Sequence, residues 1–269
     1  MVHGVYFSAT GNSAKIVRTL SDYIGQNLDI SIRYDNFTQP SSHVKERLYT
    51  SEDIVVFGVP TFAGRVPNKV LPFVQSLFKG NNTPAVAVVT FGNRNFDSSL
   101  TELVKELSKN GFIVVGAAAV CCNHSFGDIG QNRPDESDYD LLKALSEKFS
   151  AIYGRGIKNR APVTITGREE IAPYYTPLKE DNSPAKFLKA KPKTDLSLCR
   201  ICGKCAAICP MEAISKENTS EVPGLCIKCQ ACIKICDNHA KYFDDPDFLS
   251  HKKMLENSYQ RRAESEIFI

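Results

Sequence analysis

Eight of the chain's ten cysteines fall between residues 198 and 236, in two matched halves. The first half contains Cys199, Cys202, Cys205 and Cys209, and the second Cys226, Cys229, Cys232 and Cys236. Both read C-x2-C-x2-C-x3-C, with a leucine before each first cysteine, which makes the stretch an internal repeat. Three thiolates at such short gaps can wrap one corner of an iron–sulfur cube, and the fourth, three residues on, points away towards a neighbouring cube. The spacing therefore predicts Cys199, Cys202, Cys205 and Cys236 as ligands of one 4Fe–4S cluster. Cys226, Cys229, Cys232 and Cys209 would hold the other. A structural zinc site would explain pairs of C-x2-C but leaves the third cysteine of each half without a role. A disulfide framework would suit a secreted chain, and nothing else here has the marks of one.

The stretch resembles the bacterial two-cluster ferredoxins, whose signature Cys209-Pro210 matches. The second half departs from it, with Asp237 where a proline is usual. The resemblance implies a small α+β domain carrying two 4Fe–4S clusters.

At 269 residues the chain has room for one domain of ordinary size and this small one. A net charge of +3 points to neither nucleic acid nor a strongly anionic partner. Met1 runs directly into apolar residues with no basic leader, and no apolar run reaches the length of a membrane span. A cytoplasmic, reducing setting with no membrane span is expected, and exposed cubes suit a low-oxygen cell.

Residues 2–7 read as a buried strand. Ser8, Thr10, Gly11, Asn12 and Ser13 form a hydroxyl-rich turn, and residues 14–20 have helical spacing. Strand, turn and helix in that order can hold a phosphate on free backbone N–H groups at the positive end of the helix dipole. An ordinary serine-capped turn fits this segment equally well, and no lysine comes after the glycine as it would in a Walker loop. The remaining strands and helices decide between them. Residues 30–34, 54–59, 85–90 and 112–120 read as further strands. They alternate with helices that run to Lys79, over 98–109 and over 137–152, which predicts a five-stranded, doubly wound parallel α/β sheet covered on both faces. In such sheets ligands bind beyond the carboxyl ends of the strands.

Three loops would meet at that edge: residues 8–13, then Pro60, Thr61, Phe62, Ala63 and Gly64, then Thr90, Phe91, Gly92, Asn93, Arg94 and Phe96. On these loops residues 1 to about 155 resemble a flavodoxin-like domain. The resemblance implies FMN, with its phosphate in the first loop and its isoalloxazine flanked by the other two. Phe62, and Phe91 or Phe96, would replace the tryptophan common beside the ring, since the chain has none. Phe96 could equally be a hydrophobic plug. Gly64 or its neighbour could turn a backbone group towards the flavin N5.

Cys121 and Cys122 end the fifth strand as small buried hydrophobes, a vicinal redox pair being the strained alternative. His124 would lie near the flavin, as a proton donor or as a structural histidine. Residues 159–195 are a proline- and lysine-rich linker expected to pack on the domains it joins. Its lysines, 186 to 193, read as a solvated face or a dock for an acidic partner. The division expected is 1–158 for the flavodoxin-like domain, 196–245 for the ferredoxin domain and 246–269 for a helical tail.

The order as a whole resembles flavodoxin–ferredoxin fusion proteins. It implies an electron-transfer protein that relays electrons between two 4Fe–4S clusters and FMN, working with redox partner proteins. The alternative is a reductase acting on a quinone-like or other unsaturated acceptor at FMN. A redox-sensing regulator is a third reading, and a homodimer passing electrons between chains is compatible with all three.

Overall fold

The computed structural model describes residues 1–157 and 160–269. The expected boundary at 158/159 lies outside the described residues. The N-terminal half alternates strand and helix: β1 (Val2–Tyr6), α1 (Asn12–Leu28), β2 (Ile32–Asn36), β3 (Arg47–Tyr49), β4 (Ile54–Pro60), α2 (Leu71–Leu77) and β5 (Phe78–Gly80). It continues with β6 (Thr83–Phe91), α3 (Ser99–Lys109), β7 (Phe112–Cys121) and α4 (Glu136–Gly154). The remainder carries one longer helix, α7 (Pro246–Ser258), among short elements: β8 (Lys193–Thr194), α5 (Lys204–Ala207), α6 (Ala231–Lys234) and β9 (Lys241–Tyr242) before it and β10 (Glu266–Phe268) after it.

The central sheet runs β10-β7-β6-β4-β1-β2. Five of its strands, β2, β1, β4, β6 and β7, are parallel, with β2 at one edge, and their order is the 2-1-3-4-5 winding of flavodoxin-like folds. The continuous apolar runs explain why. All of β6 is buried, and so is nearly all of β4 and β7, so helices must cover both faces. Ile16, Val17, Leu20 and Ile24 of α1 join Leu142, Leu145 and Phe149 of α4 on one face. Leu100, Leu103 and Leu107 of α3 join Val70 and Val74 on the other. A side chain at Gly58 would come within 2.2 Å of Val17 Cγ2, so β4 has a glycine where α1 lies flat on it.

The expectation of five strands requires one correction. β10 adds a sixth, antiparallel to β7 through Glu266↔Ala119 and Phe268↔Ala117. The tail expected to be helical is therefore a helix followed by a strand that rejoins the first domain. Its return is fixed by polar clamps. Buried Asn93 donates to the carbonyls of Tyr259 and Arg261, at 2.7 Å each, and accepts from Ala263. Buried Arg133 pairs with Asp138 at 2.5 Å and donates to the Ala263 carbonyl, while Ser265 donates to Asp138. Between residues 165 and 175 the linker runs back along α3, bonded through Thr101, Ser98 and Arg65.

The cysteine-rich half follows its repeat in three dimensions. Left-handed φ angles recur at Ile201 and Lys228, Gly203 and Gln230, and Glu212 and His239. α5 and α6 occupy equivalent places. The Ala213 amide donates to Cys209 Sγ at 3.3 Å, as the Ala240 amide does to Cys236 Sγ at 3.2 Å.

Candidate functional site: a donor-bearing loop and two cysteine sets

The loop after β1 is a held turn with free donors. Ser8 is fixed from both sides, its amide donating to Thr38 Oγ1 and its hydroxyl accepting from the Ala14 amide at 3.0 Å. Asn12 is tied to the Asn123 carbonyl and Ser13 to Thr90 through their hydroxyls at 2.8 Å. Among the described residues, the amides of 9–13 and the Thr10 hydroxyl have no hydrogen-bond partner. They cluster at the start of the 17-residue helix α1, and a Cβ built on Gly11, whose φ is 95°, would meet only open space. Free donors, a positive helix end and room beside them suit a phosphate. The group the fold implies here, FMN, thus meets residues that fit its phosphate. Thr38, from the loop after β2, belongs to this cradle. It carries no motif of its own, and only the parallel pairing of β1 with β2 brings it there.

The other two loops differ from the expectation. Phe91 and Phe96 are core residues, their ring centroids 5.5 Å apart, and Arg168 from the linker lies 4.0 Å above the Phe96 ring. They plug the sheet end and are not free to stack on a ligand. Thr90 and Asn93 are buried and committed, one to Ser13 and the other to the C-terminal segment. Arg94 pairs with Asp97 and lies 4.1 Å from the Tyr175 ring centroid. Phe62, Thr61 and Pro60 remain half-buried at the edge, with Ala63 exposed beside them. Gly64 is buried with φ 76°, and a side chain there would collide with Asp97. The Ala63 carbonyl accepts from the Tyr175 amide, so the linker forms part of this edge, a contact no local pattern announces.

Cys121 and Cys122 face opposite cores and are separate buried thiols, both pushed up in pKa by burial. The His124 ring packs on Gly92 and edge-on to Phe126, centroids 4.9 Å apart. Its Nδ1 accepts from the Phe126 amide at 3.0 Å, which leaves Nε2 to carry the proton. Desolvation, then the charges of His251, Lys234 and Arg94, lower its pKa to about 4. At neutral pH it is a neutral hydrogen-bond donor and has no proton in reserve for acid catalysis.

The thiols divide between two surroundings. Cys209, Cys226, Cys229 and Cys232 line one cavity together with Pro210, Ile214, Ile227 and Phe243. Burial pushes the Cys229 and Cys232 thiols up to about 12 and raises that of Cys226. Ionised thiolates would not persist in such walls without a cation, and a multi-iron cluster is a donor-matched way to supply one. In the other half Cys202 is exposed, flanked by Ile201 at 79 % exposure, while Cys199 and Cys236 are half-buried and Cys205 buried. Lys204 bridges to Asp237 at 2.6 Å across the two halves. Among the described residues no three His, Cys, Asp or Glu side chains converge as they would on a single ion.

The cavity holding Cys226 adjoins the first domain. Gln39, just past β2, donates to the Ile208 carbonyl at 3.1 Å. Ile227 packs against the core beneath α2 and α3. Cys226 and Phe126 pack against one apolar cluster built on Ala190, Phe243 and Phe248. All three contacts touch residues at or beside Cys209 and Cys226.

Residues 192–215 match the family of 4Fe-4S binding domains. With the strand order above, this decides the architecture. The chain joins a flavodoxin-like domain to a 4Fe–4S ferredoxin domain. Among solved structures it is similar to a flavodoxin from the domain Archaea, at 14% identity and a TM-score of 0.39, over 56% of this chain and 96% of that one. It is also similar to a Streptococcus pneumoniae TIGR4 flavodoxin, at 18% and 0.41 over 56% and 97%. A third is rubredoxin oxygen:oxidoreductase from Desulfovibrio gigas, at 19% and 0.38 over 56% and 35%. No curated protein matches the chain. In this flavodoxin–ferredoxin chain no helix among the described residues is long and apolar enough to cross a membrane.

Proposed function

We propose that the chain is an electron carrier holding FMN at the carboxyl edge of its sheet and two 4Fe–4S clusters in its ferredoxin domain. The clusters would take Cys199, Cys202, Cys205 and Cys236 as one ligand set, and Cys209, Cys226, Cys229 and Cys232 as the other. The observation that carries this reading is the junction at Gln39–Ile208, Ile227 and Phe126. There residues at or beside Cys209 and Cys226 touch the first domain, while Cys202 is exposed, which supports a route from the first set through the second to the sheet edge. The exposed half would meet a redox partner protein and the enclosed half would face the flavin.

Cubes that pass single electrons beside a flavin that holds one or two let such a chain match one-electron to two-electron chemistry. The protein's own part is to hold the phosphate, to exclude water from the second cavity and to fix the distance between the sites. The reductase reading has less support. The two side chains that would serve it are otherwise engaged: His124 is packed on Gly92 and Phe126 with its pKa lowered by burial, and Arg94 is paired with Asp97.

The test is an anaerobic, stepwise reduction of the purified chain followed by absorbance, with flavin, iron and sulfide counted beforehand. A carrier gives flavin bleaching in two separate one-electron stages alongside the cluster band, and no turnover of added quinones. Bleaching of the flavin in one two-electron stage with rapid quinone turnover would favour the reductase. Absence of flavin after reconstitution would remove FMN from the proposal.

A further inference from the structure

The two halves of the cysteine repeat differ at one buried position. Ile214 follows Ala213, whose amide holds Cys209 Sγ, and it lines the cavity shared by Cys209, Cys226, Cys229 and Cys232. Its counterpart is Lys241, which follows Ala240, whose amide holds Cys236 Sγ. Both side chains are only 3 % exposed. The lysine ends in a single contact, a hydrogen bond from Nζ to the Thr219 carbonyl at 2.5 Å, and Thr219 is itself buried. Among the described residues no carboxylate pairs with it. A buried ammonium without a counter-ion is costly unless something nearby supplies negative charge. The candidates are the thiolates: Lys241 holds the place in the second half that Ile214, a wall of the twin cavity, holds in the first, and its charge acts on Cys205 as well as on Cys232.

We infer that Lys241 sets the potentials of the two clusters apart, holding the one at Cys199, Cys202, Cys205 and Cys236 above its twin. This rests on the two-cluster reading under Proposed function. Reduction adds one negative charge to a cluster. A fixed cation beside it favours the reduced state, and the effect is strong where water is excluded. At the twin site the repeat supplies an isoleucine and an apolar cavity, which disfavour that added charge. A single electron delivered by an external one-electron donor therefore settles on the solvent-facing cluster, and the cluster beside the flavin-binding edge is reduced second.

The experiment is a redox titration of the full reconstituted chain, followed by low-temperature EPR, with iron and sulfide counted in every sample. The wave of the first cluster is assigned by its loss in C236S. In K241Q, which can still donate to Thr219, that wave is expected to move to lower potential and the separation to narrow, while K241R retains the wild-type separation. The shift is expected to persist at high salt, because the charge is buried. With the full iron complement present, unchanged potentials in K241Q, or equal shifts of both waves, would overturn the inference. If K241Q and K241M both lose only the first cluster while K241R keeps it, the charge at that site is supported. Loss in K241R as well overturns it. A wild-type chain holding a single cluster would instead defeat the two-cluster reading.

Discussion

The Gln39 side-chain amide donates to the Ile208 carbonyl across 169 positions of sequence, and so ties the end of β2 to the residue beside Cys209. A bond of this kind contributes about 1 kcal/mol. Q39A is expected to lower the urea midpoint by an amount of that order. It should also slow the bleaching of bound flavin when the clusters are reduced first, as measured by stopped-flow absorbance. A normal bleaching rate with a lowered midpoint would make the bond structural only.

The crossing of ligands between the halves can be tested directly. C209S is expected to cost the cluster of the second half and C236S that of the first, each leaving about four of about eight irons. EPR of the reduced chains should show a different surviving signal in each. If C209S removed the signal assigned to the first half, the ligand sets would have to be redrawn.

If the amides of residues 9–13 hold a phosphate, FMN should bind about two orders of magnitude more tightly than riboflavin, since each charge-assisted bond contributes about 1.5–3 kcal/mol. S8A removes the acceptor for the Ala14 amide and is expected to cost about 1 kcal/mol of stability. It should also narrow the difference between the two flavins. Equal affinity of the wild-type chain for both, by fluorescence titration, would move the ligand away from this loop.

His124 gives a pH dependence of definite sign. Its folded-state pKa of about 4 lies below the ordinary 6.5, so the unfolded chain takes up a proton that the folded chain refuses. Stability is unaffected above pH 6.5 and falls as the pH drops from there towards 4. The full shift corresponds to at most about 3 kcal/mol, and the residue's partial exposure places the expected effect below that. Urea midpoints at pH 7 and pH 5 should differ accordingly in the wild type and much less in H124Q.

The buried pair of Arg133 and Asp138 anchors the C-terminal strand through Ala263 and Ser265. D138N removes the nearer, buried charge and leaves the guanidinium only the more distant Asp135 at 3.6 Å, and it is expected to cost about 3 kcal/mol. Limited proteolysis should then cut between α7 and β10 before it cuts elsewhere. Unchanged protection there would show that Asn93 and the strand pairing suffice.

The parts that could be read from the sequence were those governed by local rules. Continuous apolar runs made β4, β6 and β7 legible, and the fixed cysteine gaps marked a repeat whose backbone takes the same path twice. The parts that escaped depend on partners far along the chain. Phe91 and Phe96 look like loop aromatics until Arg168 covers one of them. Nothing in Glu266–Phe268 marks a strand, because its position is dictated by the edge of β7 and by polar clamps at Asn93 and Arg133. Nothing local marks Lys241 as buried, and only the folded repeat gives it the place that Ile214 holds in the other half. Tyr175 and Thr38 reach the carboxyl edge from a linker and a neighbouring strand, at distances no motif spans.

The return of β10 to the first sheet has a mechanical consequence. The ferredoxin half leaves that sheet through the linker and is stitched back to it by its own far end, so it is hung like a handle fixed at both ends. A domain on a single leash explores a sphere whose radius grows with the leash, whereas one held at two points can only rock about the line that joins them. The gap between the enclosed cysteines and the carboxyl edge of the sheet is then a dimension of the scaffold and does not depend on chance encounter between two tethered modules.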